Sequence, residues 1–153
     1  MFNIEIINFT KQLAPNSSLK DLASFAARRW HQAGELSVVL GGDKRLRSLN
    51  RLFRHKDKST DVLTFSAPAG TPGALGEIFI NLQDCRRPHK YLEVFLEKKS
   101  FSYILFFLLL HGLLHLTGEN DDTEQGRRRM IALGEKMLSD WQKNGIIKKK
   151  LDI

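Results

Sequence analysis

The chain has 153 residues, enough to bury one core and too few for two comfortable domains. Hydrophobic residues make up 42% and charged residues 27%, ordinary globular proportions that exclude a disordered or fibrous chain. Lys plus Arg number 24 against 17 Asp plus Glu, for a net charge of +7, which points to a polyanionic partner, nucleic acid ahead of an acidic membrane surface, with solubility alone as the other reading.

In chain order, Phe2 to Phe9 carries β-branched residues in alternation and predicts a strand. Ser17 or Ser18 is placed to cap a helix running to about His31, with Leu19, Leu22, Phe25 and Ala26 on one face. Gly34 stops it, Leu36 to Leu40 reads as a buried strand, and Gly41-Gly42 ends that strand. Asp43 is placed to cap a basic amphipathic helix to about Phe53, with Leu46, Leu49 and Leu52 inward. Arg54 to Ser59 is a polar, positive connection. Asp61 to Ser66 and Leu75 to Asn81 predict two further strands, paired as a hairpin across the Pro68 to Gly73 loop. From Gln83 helical signals dominate, with an interruption near Pro88. Phe101 to Thr117 predicts a central apolar helix ended by Gly118. Thr123 to Trp141 predicts an amphipathic helix with Met130, Leu133, Met137 and Leu138 inward, and Lys143 onward reads as a basic tail.

Strands early and helices late predict an α+β fold: a small mixed sheet of about four strands packed on helices, in a single domain over residues 1–153 with the tail at 143–153. The apolar run from Tyr103 to Leu116 is interrupted by His111 and His115 and is shorter than the roughly 20 residues of a membrane span. Met1 is followed by no basic and long apolar region, so no signal peptide is expected. The single cysteine, Cys85, permits no internal disulfide and fits a reducing cytoplasm as inert packing. These features predict a cytoplasmic protein.

His111 and His115 are four apart, so on a helix both rings leave one face about one turn apart, a geometry that lets two imidazoles reach one metal ion. Buried imidazoles in so apolar a helix need partners. After Gly118 comes Glu119-Asn120-Asp121-Asp122, and a chain turning back there offers a third ligand, Asp121 or Asp122. The neighbour of the first histidine is Gly112, where His-Glu-x-x-His metallopeptidases carry the general base, so a peptidase of that mechanism is disfavoured.

His111-Gly112-Leu113-Leu114-His115-Leu116-Thr117-Gly118-Glu119-Asn120-Asp121 resembles the signature of the YbeY family of bacterial endoribonucleases, the rRNA maturation factors: a histidine, three residues, a second histidine, five residues and a third histidine. The stretch from Asn50 to Phe65, with Arg54-His55-Lys56-Asp57 and Thr60-Asp61-Val62-Leu63-Thr64-Phe65, resembles a second family block, and Leu75-Gly76-Glu77-Ile78-Phe79-Ile80 a third. They fall in family order between Leu36 and Leu138. The third ligand position holds Asp121 where the family has histidine, Asn120 stands for the usual aspartate and Glu119 for the usual tyrosine. Aspartate is a legitimate zinc ligand but harder than imidazole.

The resemblance implies a zincin-like fold, with His111 and His115 on the central buried helix as metal ligands and Asp121 as the third. It implies one zinc ion, or another divalent metal because of Asp121, and a metal-dependent single-strand endoribonuclease acting in rRNA maturation and ribosome quality control. His111, His115 and Arg54 would be catalytic, with Arg54 clamping phosphate through its planar fork. RNA as an rRNA precursor, the ribosome or its small subunit are the implied partners, with a ribosomal protein contact possible and no membrane. The other readings are a non-catalytic ribosome-biogenesis or RNA-binding factor with a degenerate metal site, and a zincin-like peptidase. Asp57, Ser59, Thr60 and Asp61 read as braces of their turn. His31, His55 and His89 have no ligand-spaced companion, and the run Arg127-Arg128-Arg129 reads as a solvated face that also meets phosphate.

Overall fold

A computed structural model describes residues 1–151, with side chains described through Gly145. In order, the elements are β1 (Phe2–Asn8), α1 (Asn16–Arg29), β2 (Gly34–Gly41), α2 (Asp43–Arg54), β3 (Val62–Ser66), β4 (Ala74–Asn81), α3 (Leu82–Cys85), a 3₁₀ turn (Pro88–Tyr91), α4 (Leu92–Phe95), α5 (Phe101–Leu116) and α6 (Glu124–Leu151). The sheet runs β1-β2-β4-β3, with β1, β2 and β4 parallel and β3 antiparallel to β4. This is the expected α+β architecture of a four-stranded mixed sheet on helices.

The register puts Val38 beside Ile78 and Leu40 beside Ile80, so Leu36, Val38, Leu40, Ile78 and Ile80 fall on one face by alternation. That face packs in one core with Leu19, Leu22, Ala23 and Ala26 of α1 and with α5. In α5, Ile104, Leu105, Phe107, Leu108, Leu109, Leu110, Leu113 and Leu114 are all buried, which makes it the central helix its composition predicts. Each buried Leu or Phe contributes roughly 1.5–3 kcal/mol. The Ser100 hydroxyl accepts from the Tyr103 N–H at 3.1 Å and caps the first turn. On the other sheet face Phe65 meets both Phe79 and Phe53 of α2. α6 lies along α5, and the Trp141 indole N–H donates to Asp21 of α1 at 2.8 Å.

Four sequence expectations need correction. α1 begins at Asn16 with Pro15 at the cap position and no side-chain cap, so Ser17 and Ser18 lie inside the first turn, past the position from which a hydroxyl caps. Asp43 does not cap α2: Gly42 is the cap residue, and the Asp43 carboxylate is instead held by Arg87 and Asn81. Leu52 is exposed at 67%; α2 is rotated so that Leu46 and Asn50 face inward, the Asn50 amide donating to the Lys58 carbonyl at 2.9 Å. Finally, α6 continues to Leu151 past the predicted end at Trp141, so 143–151 is helix; 152–153 of the expected tail lie outside the described residues. Among the described residues no helix is long and apolar enough to cross a membrane.

Candidate metal centre and cleft

α5 is pressed onto β3 and β4 at one residue. A Cβ at Gly112 would lie 2.7 Å from Ile78 Cγ2 and 3.1 Å from Thr64 Cγ2, so this position has no room for a side chain, least of all a glutamate. His111, immediately before it, comes up at the sheet edge, and His115 follows one turn later. Their rings are 4.9 Å apart and nearly perpendicular, at 83°.

Past Leu116 the helix is unwound by Gly118, whose φ of +104° suits glycine. The Gly118 N–H donates to the His115 carbonyl at 3.1 Å and the Glu119 N–H to that of Leu114 at 3.2 Å. This tight reversal returns Asp121 over the two imidazoles. Its Oδ2 lies 3.3 Å from His111 Nε2 and 3.6 Å from His115 Nε2, and the three donor atoms all lie within 4.8 Å of one another. Ligands of a tetrahedral ion at 2.0–2.1 Å stand about 3.3 Å apart, so the two separations from Asp121 to the imidazoles match a zinc-sized cation. Of the two carboxylates open to the third position, Asp121 is the one beside the rings; Asp122 lines the same cleft.

Burial, and then the neighbouring His115, hold His111 below the ordinary histidine range, against the opposing pull of Asp121 and Asp61. The neutral ring keeps a lone pair for a metal. Its Nδ1 is buried without a hydrogen-bond partner, so Nε2 is the nitrogen turned to the carboxylate. Side-chain exposure rises from 13% at His111 to 24% at His115 and 38% at Asp121, leaving the Asp121 side open to a substrate.

Arg54 is not in a turn, as its polar neighbourhood suggested, but is the last residue of α2, ended by His55 in the left-handed region. Its guanidinium donates to the Thr64 carbonyl at 3.4 Å. It shares with His111, His115 and Asp121 a cleft of about 420 Å³ whose lining includes Lys56 and Lys58. The structure thus brings all four predicted site residues to one cleft. Of the other histidines, His31, His55 and His89 are exposed and away from the rings.

Asp57 pairs with Arg47 at 2.9 Å, and Ser59 and the Thr60 carbonyl accept from Asn81, as braces of their turn. Asp61 does more: it accepts from the Tyr91 hydroxyl at 2.9 Å and lines both the main cleft and a second one of about 260 Å³ on the other side of His111. Arg127 also lines that second cleft. Tyr91 carries no sequence signal that marks it for the site, because it gets there only through tertiary packing, and the sequence marks Arg127 only as part of a basic run that meets phosphate. Cys85 is fully buried, and burial, with Asp61 and Asp84 nearby, pushes its thiol up to about 12.

Comparison with known proteins bears on the same residues. The chain is 42% identical to the Endoribonuclease YbeY of Myxococcus xanthus (strain DK1622) over 69% of its own length and 36% of that protein's. It is 39% identical to that of Chelativorans sp. (strain BNC1), covering 67% of this chain and 63% of the relative; the chain thus spans less than two thirds of these relatives. With the Endoribonuclease YbeY of Halalkalibacterium halodurans it is 31% identical over 90% of this chain and 94% of the other. The solution structure of a Thermotoga maritima protein shares the fold with a TM-score of 0.58 and 23% identity, covering 92% of this chain and 93% of that one. The family model described as Endoribonuclease YbeY matches residues 5–142, and the chain belongs to that family.

Proposed function

We propose that this chain is a metal-dependent single-strand endoribonuclease acting in rRNA maturation and ribosome quality control in the cytoplasm, with residues 1–153 as its hydrolase domain and rRNA precursor or the small ribosomal subunit as partner. The observation that carries the reading is the convergence of two imidazoles, a carboxylate and an arginine in one cleft. His111 and His115 through Nε2, and Asp121 through Oδ2, would hold the ion. A bound zinc or other divalent cation supplies Lewis acidity toward a phosphoryl oxygen.

The chain's own side chains account for the rest. Lys56 and Lys58 raise the local concentration of a polyanion. Arg54, tethered to the β3 backbone, presents donors to phosphate oxygens and steadies the charge that grows there in the transition state. RNA brings a 2′-hydroxyl within its own backbone, so the protein need not supply a carboxylate base at position 112. The absence of space beside Gly112 weighs against a peptidase of the His-Glu-x-x-His type.

The test is cleavage of single-stranded RNA and of unstructured peptides by zinc-loaded protein. RNA fragments with intact peptide are expected. Stoichiometric metal without RNA cleavage would support the non-catalytic reading, and peptide cleavage would sink the endonuclease.

A further inference from the structure

Large apolar side chains do not sit at the end of a basic helix without consequence. Leu52 and Phe53 are 67% and 57% exposed, although α2 has an inward stripe available. Phe53 touches the Phe65 ring at 5.3 Å and 62°, and Phe65 in turn meets Phe79 at 5.7 Å and 81°. The Phe53 ring is thus held edge-on by a two-ring base and turned partly to solvent. Other exposed ground on α2 is basic: Lys44, Arg45, Arg47, Arg51 and Arg54 stand against Asp43 alone. Arg47 is paired with Asp57 and Arg45 lies over the Phe9 ring; Lys44 and Arg51 are exposed elsewhere on the helix, and Arg54, next in the chain to Phe53, is exposed beside it.

We propose that Phe53 is a stacking platform for one base of a single-stranded RNA, next to the phosphate that Arg54 grips; this rests on the endoribonuclease reading. Phe53 packs on Phe65, on the α2 face of β3, and Arg54 bonds the Thr64 carbonyl at the open edge while lining the cleft of His111, His115 and Asp121. The strand therefore crosses the open β3 edge, with its base on the α2 side and its backbone on the metal side. A preoriented aromatic ring binds any base through its π-face, and neighbouring guanidinium groups take the phosphates. Glu35 and Glu77 line the groove farther along the same sheet face, and their charge repels the strand and confines it to the α2 side. An apolar protein partner would not need Arg54 beside the ring.

The test is binding of the full-length protein to a short 2′-O-methyl oligonucleotide, which resists cleavage, and to its fully abasic counterpart. Phe53→Ala is expected to weaken binding of the intact oligonucleotide about 5- to 100-fold. Phe53→Tyr should stay near wild type and Phe53→Leu should behave like Phe53→Ala, which separates stacking from apolar contact. The abasic strand should bind wild type and Phe53→Ala alike, and the salt dependence should be unchanged because no phosphate contact is lost. Equal affinity of wild type and Phe53→Ala for the intact strand, with salt-sensitive binding kept, overturns the platform while leaving the RNA reading standing. No salt-sensitive binding to either strand overturns both. A wild-type dimer that Phe53→Ala dissociates, with RNA affinity unchanged, assigns the ring to a second copy and overturns the proposal.

Discussion

Substituting Gly112 by alanine sets two effects of known sign against each other. An alanine in a helix interior is favoured over glycine by about 1 kcal/mol. Against this, the new Cβ would stand 2.7 Å from Ile78 Cγ2 and 3.1 Å from both Ile78 Cδ1 and Thr64 Cγ2, well inside the optimal carbon separation of about 3.5–4.0 Å. Overpacking of this kind costs about 1–3 kcal/mol, and Ile78 is fully buried in the core. The net effect is therefore between neutrality and a loss of about 2 kcal/mol, each kcal/mol lowering the thermal midpoint by about 2–4 °C at this chain length. Relief requires α5 to lift from β3. His111, His115 and Asp121 travel with α5 and its following turn, whereas Arg54 is tied to Thr64 of β3. Gly112→Ala should thus keep most of its metal but lose turnover on RNA, read by thermal melts, metal stoichiometry and cleavage assays side by side. The clash also predicts coupling: combined with Ile78→Ala, itself costing about 2–5 kcal/mol, the pair should cost less than the sum by about 0.5–3 kcal/mol. A raised midpoint in Gly112→Ala, or strict additivity in the double variant, would refute the steric account.

Removing any one of His111, His115 or Asp121 as alanine should lower zinc content of the purified protein, while Asp122→Ala keeps it and Asp121→His raises affinity; loss on Asp122→Ala instead would move the ligand by one residue. Arg54→Ala should cost about 10²–10³ in turnover with stability changed by less than about 0.5 kcal/mol, and Arg54→Lys should recover only part because ammonium lacks the planar fork; normal turnover in Arg54→Ala would remove it from the chemistry. The hydrogen bond from Arg87 lowers the Asp43 carboxyl from 3.8 to about 2. A group depressed in the folded state stabilises fully above its unfolded value and loses that contribution as pH falls through its folded one. Asp43→Asn should therefore flatten the dependence of the melting temperature on pH between 3.8 and about 2, and an unchanged acid limb would contradict the assignment.

What could be read from the chain divides along the range of the contacts involved. The placement of His111 and His115 on one helix face follows from a spacing of four within a single element, and the greasy composition of α5 places that helix at the centre. The β3–β4 hairpin follows from two alternating runs and a Pro-Gly loop. Other features depend on partners far away in sequence. Asp43 looks like a cap, but Arg87, 44 residues on, takes its carboxylate. Leu52 fits an inward stripe, yet the buried Asn50 sets the rotation of α2 through its bond to Lys58. Asp121 and Asp122 are indistinguishable by composition; the spacing of the family signature singles out Asp121, and the reversal at Gly118 is what physically brings that carboxylate to the rings. Tyr91 enters the site through Asp61, 30 residues away, with no motif to announce it.

β3 is an edge strand of five residues. The Asn81 N–H donates to the Asp61 carbonyl and the Ala67 N–H to that of Leu75, so the odd-numbered residues between them pair with β4 and the groups of Val62, Thr64 and Ser66 point outward. Such a row is a template for pairing with another chain. The Arg54 guanidinium, bonded to the Thr64 carbonyl, caps the middle of that row and sets a positive charge beside it. The arginine proposed for phosphate thus also gives the sheet its colloidal protection: two copies approaching edge to edge would bring like charges together before any backbone bond could form.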